Sequence, residues 1–178
     1  MELAEETIRK AQQGDANAFS DVLDSSYELI FSVAMKYVMN RQDAEDVTQQ
    51  VCIKLARSIT QYRFDSSFST WLYRVVVNCA NDWHRKESRH HQSTNDVAQN
   101  PASHNSDVAE QQLYLKQVLE QIGTWGKGYL DAVVLVIGEG LTHQDAARVL
   151  DVSESTVSWR IHEVRKRLHL LESGGQNS

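Results

Sequence analysis

Apolar residues recur at helical spacing along most of this chain, and the recurrence stops in one internal stretch. A short helix is expected over residues 2–13, ended by Gly14-Asp15. A longer one begins near Asn17, with Phe19, Val22, Leu23, Ile30, Val33, Ala34, Tyr37 and Val38 on its inner side, and stops at Asn40-Arg41-Gln42. Asp43 reads as the N-cap of a third helix over residues 44–59, with Glu45 and Asp46 at its positive end. Val47, Val51, Leu55 and Ile59 form its buried stripe, and Asp46, Gln49, Gln50 and Lys54 face outward. Residues 60–69 read as a polar, aromatic loop. A fourth helix follows over residues 70–89, capped by Ser67 or Ser69, with Leu72, Val75, Val76, Cys79, Ala80 and Trp83 inward.

Residues 87–107 then hold almost no apolar side chain and include the only proline, Pro101. Such a stretch cannot bury enough surface to offset its ordering entropy. Residues 91–107 are therefore expected to be a flexible linker between a first domain over 1–90 and a second over 108–172. Residues 173–178 are expected to form a disordered tail. In the second domain Leu113, Leu115, Val118, Leu119 and Ile122 mark one helix, "GTWGKG" breaks it, and the very apolar "YLDAVVLVIGEG" makes the next. "LTHQDAARVL" and "ESTVSWRIHEVRKRLHLL" follow, separated only by "DVS". The expected fold class is all-α, in two small helical domains.

Composition supports this and adds little. Apolar residues make up 41%, enough for real cores in a chain of 178 residues. No apolar stretch is long enough to span a bilayer, and the first residues carry no signal core. A soluble cytoplasmic protein with no membrane insertion is expected. Cys52 and Cys79 sit inside helical patterns and read as buried, inert thiols.

Charge changes the picture more. The net charge of −6 conceals a gradient: residues 1–50 carry ten acids and four bases, whereas residues 156–171 carry four bases and the single acid Glu163. An acidic front with basic patches behind it suits one protein partner and one polyanion.

The last two helices form a helix-turn-helix pattern, Thr142 capping the first and Ser153 the second, with Val157 and Ile161 turned inward. The second offers Ser153, Glu154, Ser155, Thr156, Ser158, Trp159 and His162 to a major groove, and Arg160, Arg165, Lys166 and Arg167 to phosphates. Asp151 stands in a turn that favours positive φ, where a glycine would fit more easily. A helical hairpin with a solvated basic face is the plainer reading of the same pattern. In the first domain Tyr62, Phe64, Phe68, Trp71 and Tyr73 alternate with Arg63, Arg74, Arg85 and Lys86, and Asn78 and Asn81 add amides. Aromatics beside cations near a loop can stack on unpaired bases, although Trp71 and Trp83 also suit a core. His84, His90, His91 and His104 with Cys79 lack a paired-ligand spacing, so no metal or cofactor is expected. No phosphate loop, nucleophile elbow or catalytic carboxylate pair occurs, and no enzymatic activity is expected.

"DAEDVTQQVCIKLARSITQYRFDSSFSTWLYRVVVNCANDWHRK" resembles the second conserved region of bacterial sigma-70-type factors, the small extracytoplasmic-function (ECF) group in particular. "LTHQDAARVLDVSESTVSWRIHEVRKRL" resembles their fourth region. Together the matches cover about residues 10–90 and 108–171. The resemblance implies a sigma factor that binds core RNA polymerase and directs it to promoter DNA. Asp43, Glu45, Asp46, Gln49 and Gln50 would dock on the clamp helices of the largest subunit, with a further contact to the flap of the second largest. Phe64, Ser69, Thr70, Arg74, Asn78, Asn81, Arg85 and Lys86 would melt and hold the −10 element. Ser155, Thr156, Ser158, Trp159, Arg160, His162 and Arg165 would read the −35 element. An anti-sigma factor is an expected partner. The chain departs from the pattern at "IGTWGKGYLDAVV", where the family usually carries a proline-rich entry, and at Ser158 and Glu163, where bases are common. A stand-alone helix-turn-helix regulator and a helical interaction module are the alternatives.

Overall fold

The computed structural model describes residues 4–93 and 106–174, with side chains over 4–87, 110–171 and at Ser173. The chain divides into two compact units, Met1–Thr94 and Asn95–Ser178. Most of the expected linker and the end of the expected tail fall outside the described residues. Within them, helix extends over residues 91–93, 106–107 and 173–174, so these seven positions, expected as linker or tail, are helical.

The first unit contains α1 (Glu5–Gln12), α2 (Ala16–Val38), α3 (Arg41–Ser58), a 3-10 turn (Ile59–Gln61) and α4 (Phe68–Ser93). Asp15 caps α2 by accepting from the Asn17 and Ala18 amides. Helix α2 is the central member, packed against α1, α3 and α4. Its Val22, Ile30, Val33 and Ala34 meet Val47, Val51 and Leu55 of α3 and Leu72, Val76 and Ala80 of α4 in a core closed to solvent. Such positions contribute roughly 1.5–3 kcal/mol each through burial. Thr48 is also buried, and its hydroxyl finds no partner among the described residues.

The second unit contains α5 (Ser106–Thr124), α6 (Tyr129–Val133), a π-helical turn (Val134–Gly138), α7 (His143–Leu150) and α8 (Glu154–Gly174). Ile122, Ala132, Leu135, Ala146, Val157, Ile161 and Val164 form its core. Leu113 and Leu115 of α5 are exposed. Residues two apart cannot share one helical face, so the α5 leucines do not make a single inner stripe.

Candidate polymerase and nucleic-acid interfaces

Helix α3 begins earlier than the sequence pattern suggested. Met39 adopts the left-handed conformation (φ 50°, ψ 28°) and ends α2, after which Asn40 is extended and accepts from the amides of Gln42 and Asp43. Asn40 is therefore the cap, and Asp43 lies in the first turn. Asp43 and Glu45 are half-buried, and Glu45 accepts from Arg41 Nε at 2.9 Å. Asp46, Gln49 and Gln50 are exposed and share one face, at intervals of three and four residues. This face borders a groove of about 680 Å3 between α3 and α4, whose lining includes Ile53, Lys54, Trp83 and Lys86. Acids and amides thus adjoin an apolar and basic trough, a surface suited to a partner of mixed charge.

The loop before α4 is built around Tyr62. This side chain is buried, and its hydroxyl donates to the Ser66 carbonyl at 2.7 Å. Burial pushes the phenol up from its ordinary value, with Glu5 and Asp65 adding to the shift. Its ring centroid lies 4.6 Å from Phe64, 5.4 Å from Phe68 and 5.6 Å from Trp71. Phe64 has φ 62°, a left-handed conformation that a bulky residue rarely adopts. Phe64 is half-buried, and the Arg9 guanidinium lies over its ring at 4.1 Å. The loop aromatic is thus part of a small stack and not a freely exposed side chain.

Ser67, not Ser69, caps α4: its Oγ accepts from the Thr70 amide and bonds the hydroxyls of Ser69 and Thr70. Arg74, Asn78, Asn81 and Arg85 then recur at helical spacing down one side of α4. All but Asn81 are exposed, as is Lys86, and Arg85 pairs with Asp82. Trp71 and Trp83 are half-buried. His84 Nε2 lies 3.1 Å from the Tyr37 carbonyl, whereas the side chains of His90, His91 and His104 fall outside the described residues.

In the second unit Thr142 caps α7, accepting from the Asp145 amide and donating to its carboxylate at 2.6 Å. Asp151 takes the left-handed conformation expected of the turn (φ 54°, ψ 48°). Ser153 Oγ accepts from the Thr156 amide and bonds the hydroxyls of Ser155 and Thr156. Val157, Ile161 and Val164 hold α8 against the core, and Ser155, Trp159, His162 and Arg165 are exposed. Ser158 is half-buried, with its Oγ 2.8 Å from His143 Nδ1, which ties the two helices of the motif together.

Arg160 stands elsewhere. Its guanidinium lies against Gly128, where an added Cβ would meet Nη1 at 2.4 Å. The segment that departs from the family pattern therefore braces α8. Tyr129 meets Trp159 with ring centroids 5.8 Å apart, and Arg167 lies 5.3 Å from the Trp125 ring and 5.4 Å from the Tyr129 ring. Arg167 Nε also donates to Glu163 at 2.7 Å, and this bond holds the carboxyl below its ordinary range. Glu163 is thus engaged along the helix with Arg167. Arg167, expected to face phosphates, is instead engaged with Glu163 and two rings, and the roles of Trp125, Gly128 and Tyr129 were missed by sequence reasoning. The run of aromatics and glycines in "TWGKGY" was their only signal.

Comparison with known proteins finds matches to both units. The family model Sigma-70 region 2 matches residues 23–90, and Sigma-70, region 4 matches residues 127–168. The chain is 28% identical over 172 residues to the ECF RNA polymerase sigma-E factor of Haemophilus influenzae, covering 90% of each protein. It is 27% identical over 172 residues to the ECF RNA polymerase sigma factor SigW of Bacillus subtilis, covering 90% of this chain and 92% of that one. In fold it is similar to the sigma factor RpoE solved in complex with the anti-sigma factor NepR from Bartonella quintana. That likeness has a TM-score of 0.64 and 22% identity, over 87% of this chain and 96% of the other. With both regions present in this order, the chain belongs to the sigma-70 family of RNA polymerase sigma factors, in its ECF group.

Proposed function

We propose that this chain binds core RNA polymerase, carries it to one class of promoter and opens the DNA there. The observation that carries this reading is the pairing of an exposed acid and amide face on α3 with an aromatic loop and a row of cations and amides on α4, within one small unit. Asp43, Glu45, Asp46, Gln49 and Gln50 would dock on the polymerase clamp. Phe64, Ser69, Thr70, Arg74, Asn78, Asn81, Arg85 and Lys86 would hold the opened −10 strand, where stacking offsets the few kcal/mol lost on extruding a base. The α8 face of Ser155, Thr156, Ser158, Trp159, His162 and Arg165, with Arg160 beside it, would read the −35 duplex. On this reading the first domain ends with α4 and the second begins with α5, joined by a linker, and the chain works in the cytoplasm. The solved complex of a relative with an anti-sigma factor supports an inhibitory protein partner here too. A stand-alone helix-turn-helix regulator would leave the α3 face and the aromatic loop without a task.

The test separates two surfaces. Asp46→Arg should weaken binding to core polymerase, whereas Trp159→Ala should weaken promoter binding and leave core binding intact. Equal loss of both activities in both variants would contradict this division of labour.

A further inference from the structure

Helix α1 lies before the region-2 match, which begins at residue 23, yet its Arg9 and Gln12 reach the aromatic loop and the turn before it. Ile8 and Ala11 anchor α1 in the core. Gln12, one turn on from Arg9, donates Nε2 to the carbonyls of Ile59 and Tyr62, both at 2.8 Å. These two carbonyls bracket the 3-10 turn from which the loop departs. Arg9 places its guanidinium 4.1 Å from the centroid of Phe64, the residue at φ 62°. The same guanidinium is steadied from its own helix by Glu5, through Nε at 2.9 Å.

We infer that α1 is part of the site for unpaired DNA, with Gln12 positioning the loop and the Arg9 guanidinium extending the Phe64 ring into a platform on which an unpaired base stacks. A single amide spanning two carbonyls fixes where the loop begins. A plane of cationic character laid on a ring offers a stacking surface and a charge for the backbone together. Two short-range contacts also account for a bulky side chain in a conformation that only its surroundings can hold. The inference rests on reading the loop as the place where an extruded base is held.

The test uses the full chain assembled with core polymerase. A pool of random-sequence single-stranded DNA is selected on the assembly, and the recovered sequence is rescanned with an abasic site at each position in turn. Wild type should show one position at which removing the base weakens binding about tenfold or more. Arg9→Ala should reduce that penalty to about threefold, and Arg9→Lys should do the same, because an ammonium keeps the charge and loses the plane. Gln12→Ala should shrink the penalty at that position and leave the others unchanged. Binding to core and the melting temperature of each variant serve as controls for folding. A penalty unchanged in Arg9→Ala and Gln12→Ala would overturn the inference, and full rescue by lysine would overturn the stacking role of Arg9. Absence of any position-specific penalty in the wild type would instead overturn the reading of the loop itself, and the role of α1 with it.

Discussion

The guanidinium of Arg160 rests on Gly128, so closely that a methyl group on that glycine would stand 2.4 Å from Nη1. Gly128 also holds φ 86°, outside the range that side-chain-bearing residues favour. One glycine therefore meets two demands, a left-handed turn into α6 and a seat for a cation of α8. Gly128→Ala should strain the turn by roughly 1 kcal/mol and displace Arg160. Affinity for duplex promoter DNA should fall while binding to core polymerase stays at the wild-type level. A shift assay with the two partners in parallel decides it, and loss of core binding would contradict the assignment.

Arg167 sits between Glu163 and the rings of Trp125 and Tyr129. The hydrogen bond from Arg167 lowers the Glu163 carboxyl below its ordinary 4.5. A depressed carboxyl contributes stability that is fully present above its unfolded value and is lost as pH falls through its folded value. Glu163→Gln should therefore melt below wild type near neutral pH. The gap should close as pH falls through the acid range below 4.5. Melting curves for the two proteins between acid and neutral pH test this, and a gap independent of pH would contradict it. Arg167→Ala should cost more than Glu163→Gln, because the cation–π contacts, worth roughly 0.5–1 kcal/mol, are lost as well.

Asp151 carries the left-handed turn of the helix-turn-helix at φ 54°. Left-handed backbone costs an ordinary residue about 1–2 kcal/mol and aspartate somewhat less, while glycine gives back part of the gain through its looser unfolded chain. Asp151→Gly should raise the melting temperature by about 2–4 °C, as a net gain near half a kcal/mol implies for a unit of this size. Asp151→Val, which cannot take the turn comfortably, should lower it.

Both thiols are shifted upward by burial, Cys52 half-buried and Cys79 buried. At Cys79 the nearby charges of Lys54 and Lys86 oppose the effect of burial without cancelling it. Alkylation of either cysteine should be slow at neutral pH and should become fast when the first unit unfolds. Rapid labelling of Cys79 in the native protein would show that α3 and α4 part more readily than their packing implies.

Much of this is legible in the amino-acid sequence alone. The inner stripe of α3 at Val47, Val51 and Leu55, the turn at Asp151 and the caps at Thr142 and Ser153 follow from spacing and from the side chains that satisfy helix ends. The start of α3 did not. Asn40 looked like the end of one helix and Asp43 like the beginning of the next, because the chain turns between α2 and α3 at Met39, just before Asn40, in a left-handed conformation that no sequence rule marks. The cover over Phe64 was equally hidden. Arg9 and Gln12 reach the loop from a helix far earlier in the chain, and periodicity says nothing about contacts at that separation. The side of α8 was legible for Trp159 and His162, which are exposed. It was not for Arg160, whose seat depends on the φ of a distant glycine.

The most direct measurement of the central claim is transcription from a pool of bacterial genomic fragments by purified core RNA polymerase, with and without the chain. The account predicts discrete start sites that appear only when the chain is added and that fade with Asp46→Arg. A chain that fails to bind core polymerase, yet binds a duplex site tightly by itself, would contradict it.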